Sequence, residues 1–216
     1  MEKVIVFQGD SITDCGHDRS PGGQNRGNGY VTMVSGALMA REPYAYACYN
    51  RGISGDRVVD LYARIRQDMI ILKPDYLSIL VGINDVAHEW YHQNGVSAPK
   101  FELVYNLLLE ELKQKCPGIK LMVLEPFILP GSIAGDPEET PEQWAYMQRE
   151  VDLRRAAAKR VAEKQGAVFV PLQEMFQKVN ADAPVKDFWL RDGVHPTEAG
   201  HWLIKEAWLE AFEQIR

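Results

Sequence analysis

Two kinds of hydrophobic pattern alternate along this chain. Short apolar runs lie over 4–8, 46–50, 77–82, 120–124 and 168–171 and read as strands. Between and after them, over 30–40, 58–72, 101–115, 141–165 and 197–215, the apolar positions follow a helical pattern. Strands alternating with helices predict βαβ units and a parallel sheet, hence an α/β fold. Leu77-Ser78-Ile79-Leu80-Val81 is almost continuously apolar, which predicts a central strand covered on both faces. In the fourth helix Val151, Arg154, Arg155, Ala158, Val161 and Ala162 keep the spacing and Gly166 supplies a stop. Thr197 is the expected cap of the last helix.

No tandem repeat, low-complexity tract or linker interrupts this order, so the 216 residues are expected to form one domain over 1–216. With 24 basic and 30 acidic side chains the net charge is −6, which gives no footprint for nucleic acid or an anionic membrane. No run approaches the roughly 20 apolar residues that span a bilayer, and Met1-Glu2-Lys3 leads straight into Val4-Ile5-Val6-Phe7 without a signal-peptide pattern. The expectation is a cytoplasmic protein. Cys15, Cys48 and Cys116 are odd in number and lack metal-ligand spacing, and read as buried thiols. The glycine-rich stretch Pro21-Gly22-Gly23-Gln24-Asn25-Arg26-Gly27-Asn28-Gly29 lacks the Lys-Ser/Thr ending of a phosphate loop and reads as a mobile or substrate-facing loop.

Chemistry concentrates near the ends of the strands. Ser11, in Gly9-Asp10-Ser11, closes the first strand, where open α/β sheets bind ligands. Far away in sequence, Asp192-Gly193-Val194-His195-Pro196 sets a carboxylate three residues before an imidazole, close enough to fix its tautomer and leave the other nitrogen to accept a serine proton. Ester hydrolysis also needs donors for a developing oxyanion. The loops Asn50-Arg51-Gly52-Ile53-Ser54-Gly55-Asp56 and Gly82-Ile83-Asn84-Asp85 offer backbone N–H groups and the Asn84 amide.

Gly9-Asp10-Ser11, Ile53-Ser54-Gly55-Asp56, Gly82-Ile83-Asn84-Asp85 and Asp192-Gly193-Val194-His195-Pro196 resemble, in order, the four sequence blocks of the SGNH/GDSL hydrolase superfamily. The resemblance implies a flavodoxin-like three-layer α/β/α sandwich with strand order 2-1-3-4-5, and ester hydrolysis through an acyl-enzyme without metal or other cofactor. It implies Ser11 as nucleophile, His195 as base and Asp192 as its orienter. The implied oxyanion donors are the amides of Ser11 and Gly55 and the side chain of Asn84. The Gly-x-Ser-x-Gly elbow of the α/β-hydrolases is absent, because Thr13 stands at the second glycine. The longer phrases Gly9-Asp10-Ser11-Ile12-Thr13-Asp14-Cys15-Gly16 and Gly82-Ile83-Asn84-Asp85-Val86 are similar to a branch that includes acetyl-xylan and related carbohydrate esterases. In that branch a tryptophan can directly precede the aspartate; here Arg191 does, with Trp189 two residues earlier.

The expected function is therefore a serine esterase that removes small acyl groups, acetyl foremost, from a small or oligosaccharide ester. Asp10, Trp90, Tyr91 and Trp189 are the expected substrate contacts, the aromatic rings by stacking on sugars. A lysophospholipase or acyl-thioesterase with the same triad, and a carbohydrate-binding module without Ser11 chemistry, are the other classes. A further alternative is a zinc-dependent hydrolase, since His88-Glu89-Trp90-Tyr91-His92 reads as His-Glu-x-x-His. Its third ligand is unmarked, with Glu110 or Glu111 able to serve, and any helix there is expected to run about two turns. A homo-oligomer stays open.

Overall fold

The computed structural model describes residues 2–20 and 25–216. Pro21-Gly22-Gly23-Gln24 of the glycine-rich stretch thus lies outside the described residues. The first part of the chain runs β1 (Lys3–Gly9), α1 (Ser11–Asp14), α2 (Tyr30–Arg41), β2 (Tyr46–Asn50), α3 (Val58–Ala63), α4 (Ile65–Asp68) and a 3₁₀ turn at Ile70–Leu72. Then follow β3 (Tyr76–Leu80), α5 (Ile83–His92), α6 (Ala98–Lys115), β4 (Lys120–Leu124), α7 (Pro141–Gln165), β5 (Val168–Val170), α8 (Gln173–Asn180) and α9 (Glu198–Phe212). The five strands form one sheet in the order β2-β1-β3-β4-β5, every neighbouring pair parallel. β3 is its middle strand, as its continuous apolar run predicts.

Alternate side chains of each strand feed two different cores, because successive residues of a strand point to opposite faces. Ile5 and Phe7 of β1 join Leu80, Met122 and Val170 against Val34 and Leu38 of α2 and Ile204, Trp208 and Phe212 of α9. Val6, Leu77, Ile79, Leu121 and Val123 face the other way, onto Leu61 of α3, Phe101, Tyr105 and Leu108 of α6 and Ala158 and Val161 of α7. The result is a three-layer α/β/α arrangement. Trp208 is fully buried and packs on Phe7 and Phe212 with ring centroids 5.1 and 4.9 Å away. Truncating such a side chain to Ala costs about 3–5 kcal/mol.

Four elements differ from the sequence pattern. The 58–72 helix is broken at Arg64, whose guanidinium pairs with both Asp56 and Asp68, and it ends at Lys73, left-handed at φ 48°, just ahead of Pro74. The His-Glu-x-x-His segment belongs to α5, a longer helix than expected at 10 residues, because it begins at Ile83. The short helices α1 and α8 escape the pattern, since four or eight residues are too few to show a helical period. Gly166 at φ 68° ends α7, and the Thr197 side chain accepts from the Gly200 N–H at 3.2 Å, both as expected.

Candidate active site

β1 delivers Ser11 to the carboxyl end of the sheet, beside the centre of the strand order. Ser11 is the first residue of α1, a single turn capped by Asp10, whose Oδ1 accepts the Ile12 N–H at 3.0 Å. Asp10 is only 1 % exposed, and this burial pushes its carboxyl up to about 7. Asp10 is therefore a cap beneath the site, not the substrate contact expected from the sequence.

From the other end of the chain, the turn before α9 brings His195 to Ser11. The Ser11 Oγ and His195 Nε2 atoms are 2.9 Å apart, and His195 Nδ1 is 2.7 Å from Asp192 Oδ2. An ionised carboxylate can only accept, so Nδ1 carries the hydrogen and the neutral ring leaves Nε2 to accept from the serine hydroxyl. Asp192 Oδ1 also accepts the main-chain N–H groups of Val194 at 3.0 Å and His195 at 2.8 Å, which locks the turn. Burial alone would raise the Asp192 carboxyl, but these bonds outweigh it and hold it below the ordinary value. The hydrogen bond to Asp192 raises the His195 pKa, against a smaller opposing effect of burial. Such a chain can take a proton from a hydroxyl and stabilise the imidazolium that results.

The two donor loops are tied to the same end. Ile53 N–H donates to the Gly9 carbonyl at 3.0 Å, and both the N–H and the hydroxyl of Ser54 donate to Asp14 Oδ2 at 2.9 Å. Gly52 is pressed against α1 so closely that a Cβ there would fall 2.5 Å from the Asp14 nitrogen. Asn84, in the first turn of α5, spends one amide hydrogen on the Asp56 carbonyl at 3.1 Å and keeps the other. Among the described residues the N–H groups of Ser11 and Gly55 have no protein acceptor. Asp14 and Asn50 are the positioning residues that sequence reading missed. Asn50 Nδ2 reaches the Thr13 carbonyl at 2.6 Å and that of Arg26 at 2.8 Å, while its Oδ1 accepts from Gly52 at 2.9 Å. Buried polar side chains near a loop are their only sequence signal.

A cavity of about 440 Å³ opens beside Ser11 and His195, bordered by Ile12, Cys15, Arg191 and Pro196. Its back wall is His201, stacked on Tyr30 and driven down to about 4 by burial, with the nearby Arg191 charge adding to the effect. His201 Nδ1 accepts the Tyr30 N–H at 3.2 Å, so Nε2 carries the hydrogen that faces Cys15 Sγ at 3.5 Å. Cys48 and Cys116 are buried as expected, whereas Cys15 is only partly so.

The three aromatic residues expected at the substrate do not border this cavity. Trp90 packs on Tyr146 at 5.1 Å, the Tyr91 hydroxyl donates to the Ile133 carbonyl at 2.9 Å, and the Trp189 indole donates to the Val179 carbonyl at 3.1 Å. Hydrogen-bonded polar ends fix Tyr91 and Trp189 elsewhere, and ring packing does so for Trp90. His88 and His92 do meet on α5, with ring centroids 5.7 Å apart. Glu89, however, turns back to accept the Gly95 N–H at 2.9 Å, and Glu111 accepts from the Tyr62 hydroxyl. Among the described residues no three His, Cys, Asp or Glu side chains are grouped as a metal site.

The sequence model of the GDSL-like lipase/acylhydrolase family matches residues 7–203. An acetylxylan esterase from Geobacillus stearothermophilus is 37 % identical over 224 residues, covering 98 % of this chain and 95 % of that protein. A structure described as a GDSL-like lipase from Parabacteroides merdae superimposes with a TM-score of 0.89 at 35 % identity, covering 98 % of this chain and 96 % of the other. The crystal structure of an acetylxylan esterase from Geobacillus stearothermophilus gives 0.82 at 31 % identity, over 97 % and 93 % of the two chains. Among the described residues no helix is long and apolar enough to cross a membrane. The chain belongs to the GDSL-like lipase/acylhydrolase family and is a carboxylic ester hydrolase.

Proposed function

We propose that the protein is a serine esterase that removes acetyl or similarly small acyl groups from hydroxylated carbohydrates, acting as one domain over 1–216. Ser11 Oγ attacks the ester carbonyl while His195 Nε2 takes its proton. The oxyanion is held by the N–H groups of Ser11 and Gly55 and by the free Asn84 amide hydrogen. Collapse expels the sugar hydroxyl, which receives the proton from His195, and leaves an acetyl-serine. Water, deprotonated by the same imidazole, then releases acetate and restores Ser11. Asp192 stays ionised throughout and keeps the ring in its working tautomer.

The observation that carries this reading is the unbroken chain from Ser11 through His195 to Asp192, at 2.9 and 2.7 Å. Variants of the related acetylxylan esterase with a serine, an aspartate and a histidine replaced are described as catalytic mutants, the last two replacements three positions apart, as Asp192 and His195 are. A small acyl group suits the cavity beside Ser11, which is edged by the polar side chains of Asn28, Arg191 and Glu198. Three unpaired cysteines suit a reducing, cytoplasmic setting. The test is a series of esters from acetate to dodecanoate on one alcohol, alongside acetylated xylose. Activity is expected to fall steeply beyond butyrate, with acetylated sugar turned over; a rise toward the long chains would overturn the reading.

A further inference from the structure

Arg191 borders two cavities, not one. Beyond it lies a second space of about 470 Å³, lined by Ser132, Asp136, Glu139, Thr140, Lys186 and Asp187. Its floor is joined to the loop that carries Asp192. Leu129 N–H donates to the Gly193 carbonyl at 3.0 Å and Ile133 N–H to the Asp192 carbonyl at 2.9 Å. Gly131 sits so near that a Cβ on it would fall 2.3 Å from the Asp192 carbonyl carbon. Whatever binds in this space is therefore held at a fixed position relative to His195.

The lining narrows the choice of occupant. Asp136 is only 4 % exposed; its Oδ1 accepts the N–H groups of Glu138 and Glu139 at 2.9 and 3.1 Å, and its Oδ2 pairs with Lys186. Three carboxylates against Lys186 and Arg191 leave the space slightly negative, which disfavours an anion. Pro130 and Leu190 are set among glycine, hydroxyl and charged side chains in this lining, which is not the continuous apolar groove a long acyl chain needs. Among the described residues no three His, Cys, Asp or Glu side chains are grouped so that they could hold a metal ion. A neutral polyhydroxylated ligand fits, because its hydroxyls donate to the carboxylates and accept from the ammonium and guanidinium groups.

We propose that this second cavity is a carbohydrate subsite holding the sugar residue next to the acetylated one, with Arg191 as the specificity-determining residue between the two spaces. The inference rests on the carbohydrate-ester reading above. The Arg191 guanidinium is tethered only at the rim, 3.0 Å from Glu198, with both side chains mostly exposed, so it is free to turn toward a substrate hydroxyl.

The test compares kcat/KM per acetyl group for acetylated xylose and acetylated xylotetraose. The natural protein should prefer the tetrasaccharide by about tenfold or more, mainly through KM, since remote contacts made equally in the ground and transition states appear there. Ser132→Trp, which fills the cavity from an exposed position, and Asp187→Ala should each draw that ratio toward one. Equal rates on the two sugars, or a tetrasaccharide preference untouched by Ser132→Trp, would overturn the subsite and leave the esterase standing. Hydrolysis of aryl acetate with neither sugar accepted would instead overturn the carbohydrate reading on which it rests.

Discussion

The segments 192–195 and 88–92 each set histidine and carboxylate at short spacing, and of these two only the first forms a proton-transfer chain. In 192–195 the aspartate carboxylate spends both oxygens on the histidine and its turn, so the ring is oriented and its far nitrogen meets Ser11 at 2.9 Å. In 88–92 the two histidines face each other, while the glutamate between them turns away to a loop N–H. Electrostatics separate the pairs as well. The Asp192 hydrogen bond raises the pKa of His195, whereas burial, assisted by the Arg57 guanidinium, lowers that of His88. Residue types at a given spacing allow a site; the partners of each polar atom decide whether there is one.

The comparison breaks most visibly at Ser11. Ser11→Ala should reduce kcat on an aryl acetate by about 10⁶-fold, on the scale of triad dissections, and near-normal turnover by that variant would remove the Ser11 chain from the mechanism. Asp192→Asn keeps the shape but takes away the acceptor that fixes the tautomer, and a loss of about 10⁴-fold is expected in steady-state kinetics. Asn84→Ala should lower kcat by roughly 10²–10³-fold, about 3 kcal/mol of lost oxyanion stabilisation. An effect on KM alone would reassign that amide to ground-state binding.

The pH profile sharpens the contrast with a smaller effect. His195 must be neutral to act as base, and its pKa is raised, so the acid limb of kcat/KM should lie above the ordinary histidine value of 6.5. Removing the Asp192 charge takes away the leading cause of the rise, so in the residual activity of Asp192→Asn that limb should move to lower pH. The smallest effect is expected in the other segment: His88→Ala combined with His92→Ala should leave esterase activity within about twofold, since neither imidazole borders the cavity at Ser11. Loss of activity on chelation, restored by zinc, would reverse the comparison.

Most of the scaffold was legible because the signals that specify it are local. The strands over 46–50 and 120–124 and the helix over 141–165 agree with the pattern to the residue, since each is a single apolar run or a long period with clear stops. Arg64 shows where that fails: its helix is interrupted where the side chain reaches Asp56 as well as Asp68, and the Asp56 partner lies outside the helix itself. Ser11, Gly55, Asn84, Asp192 and His195 could be named from four short motifs. Asp14 and Asn50 could not, because their importance lies in which backbone groups they satisfy, and those groups are supplied by loops distant in sequence.

From the sequence alone came the alternating pattern that makes a parallel sheet and the identities of the groups that can attack, accept a proton and donate to an oxyanion. These depend on side-chain chemistry and on short-range periodicity. Tertiary structure alone decided that Ser11 and His195, 184 residues apart, share one hydrogen bond, that Asp10 is buried beneath the site, and that Trp90, Tyr91 and Trp189 are held away from it. The physical reason is that a polar atom takes whichever partner the packed fold brings within about 3 Å, and that choice is made by the whole molecule.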